Sequence, residues 1–507
     1  MTNNSNRREF LRWSAGFSVM GAAAPLAMGL TAAGTAAAQT ASDYKAIVCL
    51  FLQGGQDGNN MVLATDTDSF ARYTAARSSG IAPIALKPPG TAPVAPANGR
   101  NETPANWGGV IPIVPRTPQP IPAGTTVNGT RTFAVHPLLA PVVPLFQQNR
   151  LAVLANVGML MQPTTKAQFL GKQVPIPPAL FSHNDQQSAW QAGAIDGAQT
   201  GWGGRLGDLL SSMNGSNPVF TTISADGNAV FLSGNVVGQY QINTNGSPAI
   251  PINGRSGTLF GSSGAGATLN SIIQNVGGTS NFANDHATVV TRAISAAASI
   301  NNAFNGAAPQ SIADPPDFFE PIQGFNDVNP WTTQLHTVAQ MIAAAPALGL
   351  KRQVFFCRLD AHDTHDTQNP REALNLARLA QAMVYFDQVM SNVGGVDMRA
   401  NVTTFTASDF SRGFATNGTG TDHAWGGHHF ILGGAVRGGD MYGQYPTLGI
   451  DRTGFNNPDI AGNNMIPTTS VDQYGATLGR WFGVSDSDLH AVFPRLGNFS
   501  NPYLGFI

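Results

Sequence analysis

The chain has 507 residues, with 27 lysine and arginine residues against 29 aspartate and glutamate residues and a formal net charge of −2. Only 11% of the residues are charged, so composition gives no electrostatic basis for nucleic acid or an anionic membrane as a partner. The length predicts one large domain with insertions, or two domains.

The first segment, residues 1–38, has the pattern of a twin-arginine export signal. Arg7 and Arg8 precede a weakly apolar run from Trp13 to Leu30, and Ala-rich sequence then predicts cleavage after Ala38. We expect a periplasmic or secreted protein that meets the twin-arginine translocation machinery during export. A membrane anchor is the alternative, although Gly, Ala and Ser make the run weakly hydrophobic. No later segment offers about 18 uninterrupted apolar residues, so the mature chain should have no stable membrane span.

Short apolar runs that end in polar or acidic clusters recur along the chain. They predict buried parallel strands, whose carboxyl ends would meet at one edge of a sheet. The runs extend over Lys45 to Gln53, Arg150 to Val157, Gln353 to Leu359 and Val402 to Thr406.

Segments with apolar residues at three- and four-residue spacing lie between these strands and predict helices. They cover Leu138 to Asn149, about Phe282 to Phe304, Trp331 to Ala345, and Arg371 to Val393. Strands that alternate with helices predict a doubly wound α/β architecture.

Two segments have a different composition. The stretch from Asp66 to Arg131 is rich in Pro, Gly, Ala and Thr, which predicts a long excursion over the surface. Residues 224–324 are dense in Gly, Asn and Ser, with strand-like fragments at Ala229 to Leu232 and Gln239 to Ile242. We interpret them as an inserted lid or cap, with a flexible linker as the alternative. The core domain would then have two parts, residues 43–223 and 325–507.

The two cysteines, Cys49 and Cys357, each lie within an apolar run. Two cysteines exclude a disulfide framework, and buried strand positions are favoured over a disulfide between them.

Five of the ten histidines lie among aspartates between Asp360 and His429. Mixed carboxylate and imidazole donors suit divalent cations such as zinc or manganese, so a metal site is the first functional hypothesis. The clusters are Asp360-Ala-His362-Asp363-Thr-His365-Asp366, Ser408-Asp409-Phe-Ser-Arg412 and Thr421-Asp422-His423-Ala-Trp-Gly-Gly-His428-His429.

Ordered motifs along the chain resemble those of the bacterial domain-of-unknown-function 1501 family. The resemblance runs from about Lys45 to the C-terminus. It rests on Leu-Gln-Gly-Gly-Gln-Asp57-Gly-Asn-Asn, Phe-Ser182-His183-Asn-Asp-Gln-Gln, Gly201-Trp-Gly-Gly-Arg205, Asp363-Thr-His365-Asp-Thr-Gln368, Ser408-Asp409-Phe-Ser-Arg412 and Gly420-Thr-Asp422-His423-Ala-Trp425-Gly-Gly. This family belongs with the alkaline phosphatase and sulfatase superfamily, so the resemblance implies a three-layer αβα fold with a mostly parallel central sheet.

The resemblance also implies a set of site residues. Ser182 matches the nucleophile, and one or two divalent ions would be held by Asp57, Asp363, His365, Asp409 and His423. Further candidate ligands are Asp360, His362, Asp422, His428 and His183. Arg205 and Arg412 are candidates for binding the oxygens of an anion.

The chain departs from the superfamily pattern at several of these positions. Phe410 follows Asp409 where a histidine is usual, which removes one nitrogen ligand. Asp-Ala-His stands before Asp363 where family members have Gly-Gly-Phe, and His362 is a candidate for the missing ligand. The later motif carries Asp409 and Ser411 in place of the family's Glu and Gly.

Two of the site residues have structural alternatives. Asp57 follows two glycines and could cap the next helix. Ser182 could equally be an N-cap, and the free N–H groups of such a helix start would also favour a phosphate or sulfate.

Three classes of function follow. The leading one is an exported metal-dependent hydrolase acting on phosphate esters of an anionic small molecule or glycan. Sulfate esters are less favoured, because the sequence lacks the Cys/Ser-x-Pro-x-Arg pattern of a sulfatase nucleophile. The alternatives are a non-catalytic relative that binds an anionic ligand, and a cell-surface assembly protein that interacts through residues 224–324.

Overall fold

The structure is a computed structural model that describes residues 44–121, 130–255, 258–275 and 280–507. The predicted export signal, residues 1–38, lies outside the described residues. Within those ranges, every helix is too short or too polar to cross a bilayer.

The β-strands range from two to eight residues. They are β1 Lys45–Leu52, β2 Val62–Ala64, β3 Ile111–Ile113, β4 Phe133–Val135, β5 Leu151–Gly158, β6 Thr222–Ser224, β7 Tyr240–Gln241, β8 Phe318–Glu320, β9 Phe325–Asp327, β10 Arg352–Leu359, β11 Val402–Ser408, β12 Ser411–Arg412, β13 His423–Ala424, β14 Gly427–Leu432, β15 Met441–Tyr442, β16 Ile460–Ala461, β17 Asn464–Met465 and β18 Thr469–Ser470.

The α-helices range from one turn to 24 residues. They are α1 Gly58–Met61, α2 Thr67–Arg77, α3 Pro104–Trp107, α4 Val143–Gln147, α5 Lys166–Leu170, α6 His183–Ala192, α7 Trp202–Leu210, α8 Ser263–Ile273, α9 Asn281–Phe304, α10 Ala307–Gln310, α11 Pro330–Leu348, α12 Gln368–Met390, α13 Val471–Phe482 and α14 Asp486–Val492. Short 3-10 helices occupy Pro137–Val142, Ser211–Asn214, Pro218–Phe220, Val230–Leu232, Arg399–Asn401 and Leu496–Asn498.

The central sheet has the strand order β15-β5-β14-β11-β1-β10-β6-β7, and β18 also pairs with β5. Its neighbours are parallel except where β14 runs antiparallel between β11 and β5. The four predicted strands are confirmed as β1, β5, β10 and β11. In the register, Leu52 of β1 lies beside both Leu359 and Ser408, so three loops leave the sheet at the same level.

Helices cover both faces of the sheet. One face carries a core built with α11 and α12, and the other carries a core built with α6, α7, α13 and α14. The strands are buried on both sides, which explains their continuous apolar sequences. The predicted three-layer αβα architecture is therefore confirmed.

Some predicted elements differ from the structure for local reasons. The stretch from Asp66 to Arg131 is not only a surface excursion: it begins with α2, and β3 pairs with β4 at its far end. The predicted helix from Leu138 to Asn149 is a 3-10 helix followed by the short α4, because Pro141 and Pro144 lack N–H groups.

The Gly/Asn-rich region starts inside the sheet. Its strand-like fragment at Gln239 to Ile242 contains β7, which pairs with β6 at the sheet edge. The fragment at Ala229 to Leu232 is a 3-10 helix rather than a strand. The long predicted helix is confirmed as α9, whose buried residues join the same core as α11.

Both cysteines are buried in strands, as predicted. Cys49 of β1 belongs to the core on the α6 and α13 side, and Cys357 of β10 belongs to the core on the α11 and α12 side. The two thiols therefore lie on opposite faces of the sheet, and burial raises the pKa of each.

The turn after β1 requires glycine at Gly54. Its φ is +114°, and a Cβ atom built there would lie 2.5 Å from the backbone nitrogen of Asp363. The absence of a side chain lets the loop after β1 approach the loop after β10.

We expect Gly54→Ala to lower stability more than Gly90→Ala. Gly90 also has a positive φ, +80°, but a Cβ atom added there would meet no atom within 4 Å, so alanine costs about 1–2 kcal/mol for the backbone alone. At Gly54 a further cost of about 1–3 kcal/mol comes from overpacking. Urea unfolding measures the stability of both variants. Equal losses of stability would show that the close approach to Asp363 adds no cost.

Candidate metal centre

The loops after β1, β10 and β11 meet the start of α6 and the segment before β14 at one edge of the sheet. Because β14 is antiparallel, its N-terminal end lies beside the carboxyl ends of the parallel strands. Residues that are more than 200 positions apart in sequence are thereby brought together, as the parallel-strand pattern predicts.

Three side chains, His183, Asp363 and His423, form the centre of this edge. One potential ligand atom from each lies within 4.8 Å of the others. His183 Nε2 is 3.5 Å from one carboxylate oxygen of Asp363, and His423 Nε2 is 3.4 Å from the other. Two imidazoles and a carboxylate facing one point are a donor set that suits a divalent cation.

Both histidines are oriented through their other nitrogen. Nδ1 of His423 lies 2.8 Å from the carbonyl oxygen of Phe181, which can only accept a hydrogen bond, so that nitrogen carries the proton. Nδ1 of His183 lies 2.7 Å from the Asp409 carboxylate. In each neutral ring the lone pair is then on Nε2, facing Asp363, which is the arrangement found around ligating histidines.

His365 adds a third imidazole at the rim. Its Nε2 lies 3.2 Å from Asp363 Oδ1 and 2.8 Å from Nε2 of His423, and its Nδ1 lies 3.4 Å from the exposed carboxylate of Asp422. Two imidazole lone pairs at this separation repel each other unless a proton or a cation lies between them. The donor set thus fits a bound cation.

Asp409 was predicted as a ligand, but the structure gives it another contact set. Its buried carboxylate accepts hydrogen bonds from the Gly54 N–H at 3.1 Å and from Gln187 Nε2 at 2.9 Å, in addition to His183. These three contacts occupy both oxygens. Asp409 therefore orients His183 and does not face the cluster itself.

Charges around the centre favour the ligand forms of Asp363 and His423, whereas Asp409 favours the protonated form of His183. Burial alone would raise the pKa of Asp363, but the hydrogen bond and charge of Arg412 hold that pKa below its usual value. Burial lowers the pKa of His423, and the positive charge of Arg412 adds to the effect. The hydrogen bond to Asp409 raises the pKa of His183. Near neutral pH Asp363 is therefore anionic and His423 neutral, as metal binding requires.

Arg412 was a candidate for binding an anion, and the structure buries it completely instead. Its guanidinium donates to the Asp363 carboxylate and to four backbone oxygens, those of Gly54, Gly55, His362 and Thr421. A guanidinium in this position fixes Asp363 and the surrounding loops.

Asp57, which was also predicted as a ligand, has a contact set of its own. Its carboxylate is almost fully buried, caps α1 through the N–H of Asn59 and forms a two-point contact with Arg77 at 2.5 and 3.1 Å. Gln368 Nε2 donates to it as well, at 2.6 Å. With both oxygens occupied, Asp57 has the capping role that was the alternative to a ligand.

Arg77 was not identified from the sequence. It stands at the end of α2, and its other donors go to Asn60 Oδ1 and to the carbonyls of Gly413 and Phe414. The acceptors around the Arg77 guanidinium are thus all oxygen atoms, so the positive charge at this position is that of Arg77 itself. One sequence signal could have indicated a folded position for Arg77, namely the helical pattern of Thr67–Arg77. The proline-rich context obscured that pattern.

The remaining candidates lie apart from the cluster. His362 is buried with Nδ1 at 2.6 Å from Gln56 Oε1, and His428 Nδ1 accepts the N–H of Asn156 at 3.1 Å. Asp360 is 69% exposed and has Arg358 at 3.8 Å. Arg205 bonds backbone carbonyls at the opposite end of α6.

Ser182 occupies the N-cap position of α6, directly before His183 and after Phe181. Within the described residues its hydroxyl makes no capping hydrogen bond. The plain capping role is therefore absent from the structure, and Ser182 directly precedes His183, a member of the centre.

Comparison with known families agrees with the sequence motifs. The family model described as "Protein of unknown function (DUF1501)" matches residues 44–493. The chain belongs to the DUF1501 family. A search of curated protein sequences finds no match to this DUF1501 chain.

Three solved structures match the DUF1501 chain at low identity. PsFucS1 sulfatase from Pseudoalteromonas sp. is 10% identical, with 91% of this chain and 72% of that chain covered and a TM-score of 0.29. Ps i-CgsB is 8% identical, with coverage of 91% and 78% and a TM-score of 0.28. Its complex with k-i-k-neocarrahexaose is 9% identical, with the same coverage and a TM-score of 0.27. Similarity at this level carries no argument about the site.

We expect Asp363→Asn to abolish stoichiometric uptake of zinc or manganese, because it removes the carboxylate that, among the described residues, groups with both His183 and His423. Asp360→Asn is the matched control, since Asp360 lies three residues earlier and is exposed. Elemental analysis of the dialysed proteins measures ions per chain. Equal metal content in the two variants would place the site elsewhere.

Asp409→Asn should bind the same ion about 10–100-fold more weakly, because the orientation of His183 is loosened while every donor that faces the cluster stays. Titration with zinc measures the change. An unaltered affinity would show that Asp409 does not position His183.

Arg77→Met should cost about 3–5 kcal/mol of stability, because it leaves the buried Asp57 carboxylate without its partner. The control is Arg100→Met, whose pair with Glu102 is exposed and contributes about 0–1 kcal/mol. Urea unfolding compares the two. If Arg77→Met has an effect as small as the control, Asp57 is not held as an ion pair.

Proposed function

We propose that this chain is a metal-dependent hydrolase of phosphate esters, with Ser182 as its nucleophile. One observation carries the proposal: Ser182, whose hydroxyl makes no capping hydrogen bond, directly precedes His183 at the start of α6, and His183 and His423 are held with Nε2 toward the carboxylate of Asp363.

The donor set supports one ion. Asp57 is bound by Arg77, and Asp409 is bound by His183 and Gln187, so neither is free to hold a second cation. His183, Asp363 and His423 would hold zinc or manganese, which accept mixed nitrogen and oxygen ligands, and His365 at the rim lies outside this ligand set. A divalent cation there supplies Lewis-acid stabilisation of the negative charge on the ester oxygens.

The start of α6 supports recognition of the ester. The first N–H groups of a helix have no partner within the helix, and together with the helix dipole they favour an anion. In the proposed reaction Ser182 Oγ attacks phosphorus, the alcohol leaves, and water later releases phosphate from the serine. The hydroxyl loses its proton and the leaving oxygen gains one. His365, with Nε2 at the cluster and about half of its side chain exposed, is placed to carry that proton.

The substrate class is an anionic small molecule or a glycan ester. Phosphate is favoured over sulfate, because the chain lacks the Cys/Ser-x-Pro-x-Arg pattern. The twin-arginine pattern in residues 1–38 supports export, so we place this activity in the periplasm or outside the cell. We further propose that residues 224–324 form a lid or cap on the domain made by residues 43–223 and 325–507.

Ser182→Ala should reduce hydrolysis of 4-nitrophenyl phosphate by the zinc- or manganese-loaded protein by on the order of 10³-fold or more, as for other nucleophile deletions. Metal content and stability should stay unchanged, because the hydroxyl forms no cap. Ser485→Ala is the matched control: Ser485 Oγ accepts the N–H of Asp488 at 3.2 Å, so this variant should lose about 1 kcal/mol of stability and no activity.

The outcomes separate the candidate functions. Retained activity in Ser182→Ala with metal still required would exclude Ser182 as the nucleophile. A wild-type protein that binds metal but cleaves neither 4-nitrophenyl phosphate nor 4-nitrophenyl sulfate would favour the alternative of a non-catalytic binding or assembly protein.

A further inference from the structure

A cavity of about 340 Å³ lies at the C-terminal end of α6, bordered also by α7, α13 and the end of α14. Its lining residues include Trp190, Trp202 and Phe493 and the charged residues Arg205, Asp472 and Arg495. The volume falls in the range of about 300–1,000 Å³ that small-molecule sites occupy.

The charges of the cavity do not cancel. Arg495 forms a two-point ion pair with Asp472, at 2.8 and 3.1 Å. Arg205 donates only to neutral oxygens, the carbonyls of Thr200, Ala192 and Val492 at 3.0 to 3.1 Å and the Thr200 hydroxyl at 3.4 Å. Within the described chain no carboxylate lies within ion-pair distance of Arg205. The cavity therefore carries one positive charge without a partner.

Partial burial makes this charge costly. Burial lowers the pKa of Arg205; the charge of Asp472 opposes this shift, and the charge of Arg495 adds to it. A negative group close to the guanidinium would offset the burial and the charge of Arg495, and it would be worth more here than at an exposed position because water screens it less.

The lining also specifies the body of the ligand. Most of the lining residues are apolar, among them Ala189, Val471, Val492 and Pro494. Such a lining favours a ligand with an apolar body. Asp472 disfavours a ligand with a second negative charge.

The cavity is separate from the metal centre. The centre lies at the N-terminal end of α6, where His183 begins the helix, whereas the cavity borders Ala192 and Gly193 at its other end. A helix of ten residues spans about 15 Å.

We propose that this cavity binds a small monoanion with an apolar body, such as benzoate, through the guanidinium of Arg205. This site is additional to the proposed ester-hydrolysing centre and does not depend on it.

Isothermal titration of the full chain with benzoate, and with benzamide as its neutral counterpart, tests the proposal. Wild-type protein should bind benzoate at least 10-fold more tightly than benzamide. Arg205→Gln, which keeps a hydrogen-bonding amide but removes the charge, should weaken benzoate binding at least 10-fold.

A second pair of variants covers the case in which Arg205→Gln does not fold. Ala491 lines the cavity and is exposed, so Ala491→Trp should block entry and abolish benzoate binding. His490→Trp, at the adjacent exposed position that does not line the cavity, should bind as wild type does. Absence of benzoate binding to wild type, equal binding of benzamide, or unaltered binding in Ala491→Trp would each overturn the assignment.

Discussion

The buried guanidinium of Arg412 connects the parts of the candidate metal centre. It bonds the backbone of the turn after β1, the backbone of the loop after β10 and the segment before β13, and it bonds the carboxylate of Asp363. A positive charge inside the protein is tolerated only with good partners. The requirement to neutralise Arg412 therefore places Asp363 at the centre, and the two histidines gather around the oxygens that Asp363 presents.

A second buried guanidinium, that of Arg77, engages the oxygens of Asp57. Arg77 occupies the oxygens of Asp57, Asn60, Gly413 and Phe414 in the way that a cation would. The difference between the two carboxylates is exposure: Asp57 is almost fully buried with both oxygens bonded, whereas Asp363 is 45% exposed and meets Arg412 through one oxygen. The same residue type thus serves as a structural anion in one loop and as a candidate ligand in the next.

The sequence predicted the sheet because each main strand is a continuous apolar run, and it predicted the edge where the site lies because parallel strands end together. It could not distinguish Asp57 from Asp363, because their partners, Arg77 and Arg412, are 20 and 49 residues away in sequence. His183 was only a further candidate. Its importance depends on the orientation of α6 and on the hydrogen bond to Asp409, which is 226 residues away.

The positions of Cys49 and Cys357 have a consequence for where the protein can fold. The two thiols lie on opposite faces of the sheet, so no disulfide can join them without breaking the strands apart, and burial keeps both protonated. Folding therefore includes no disulfide formation that would depend on the redox potential of the surroundings. The same folded chain can form in a reducing compartment and persist unaltered in an oxidising one.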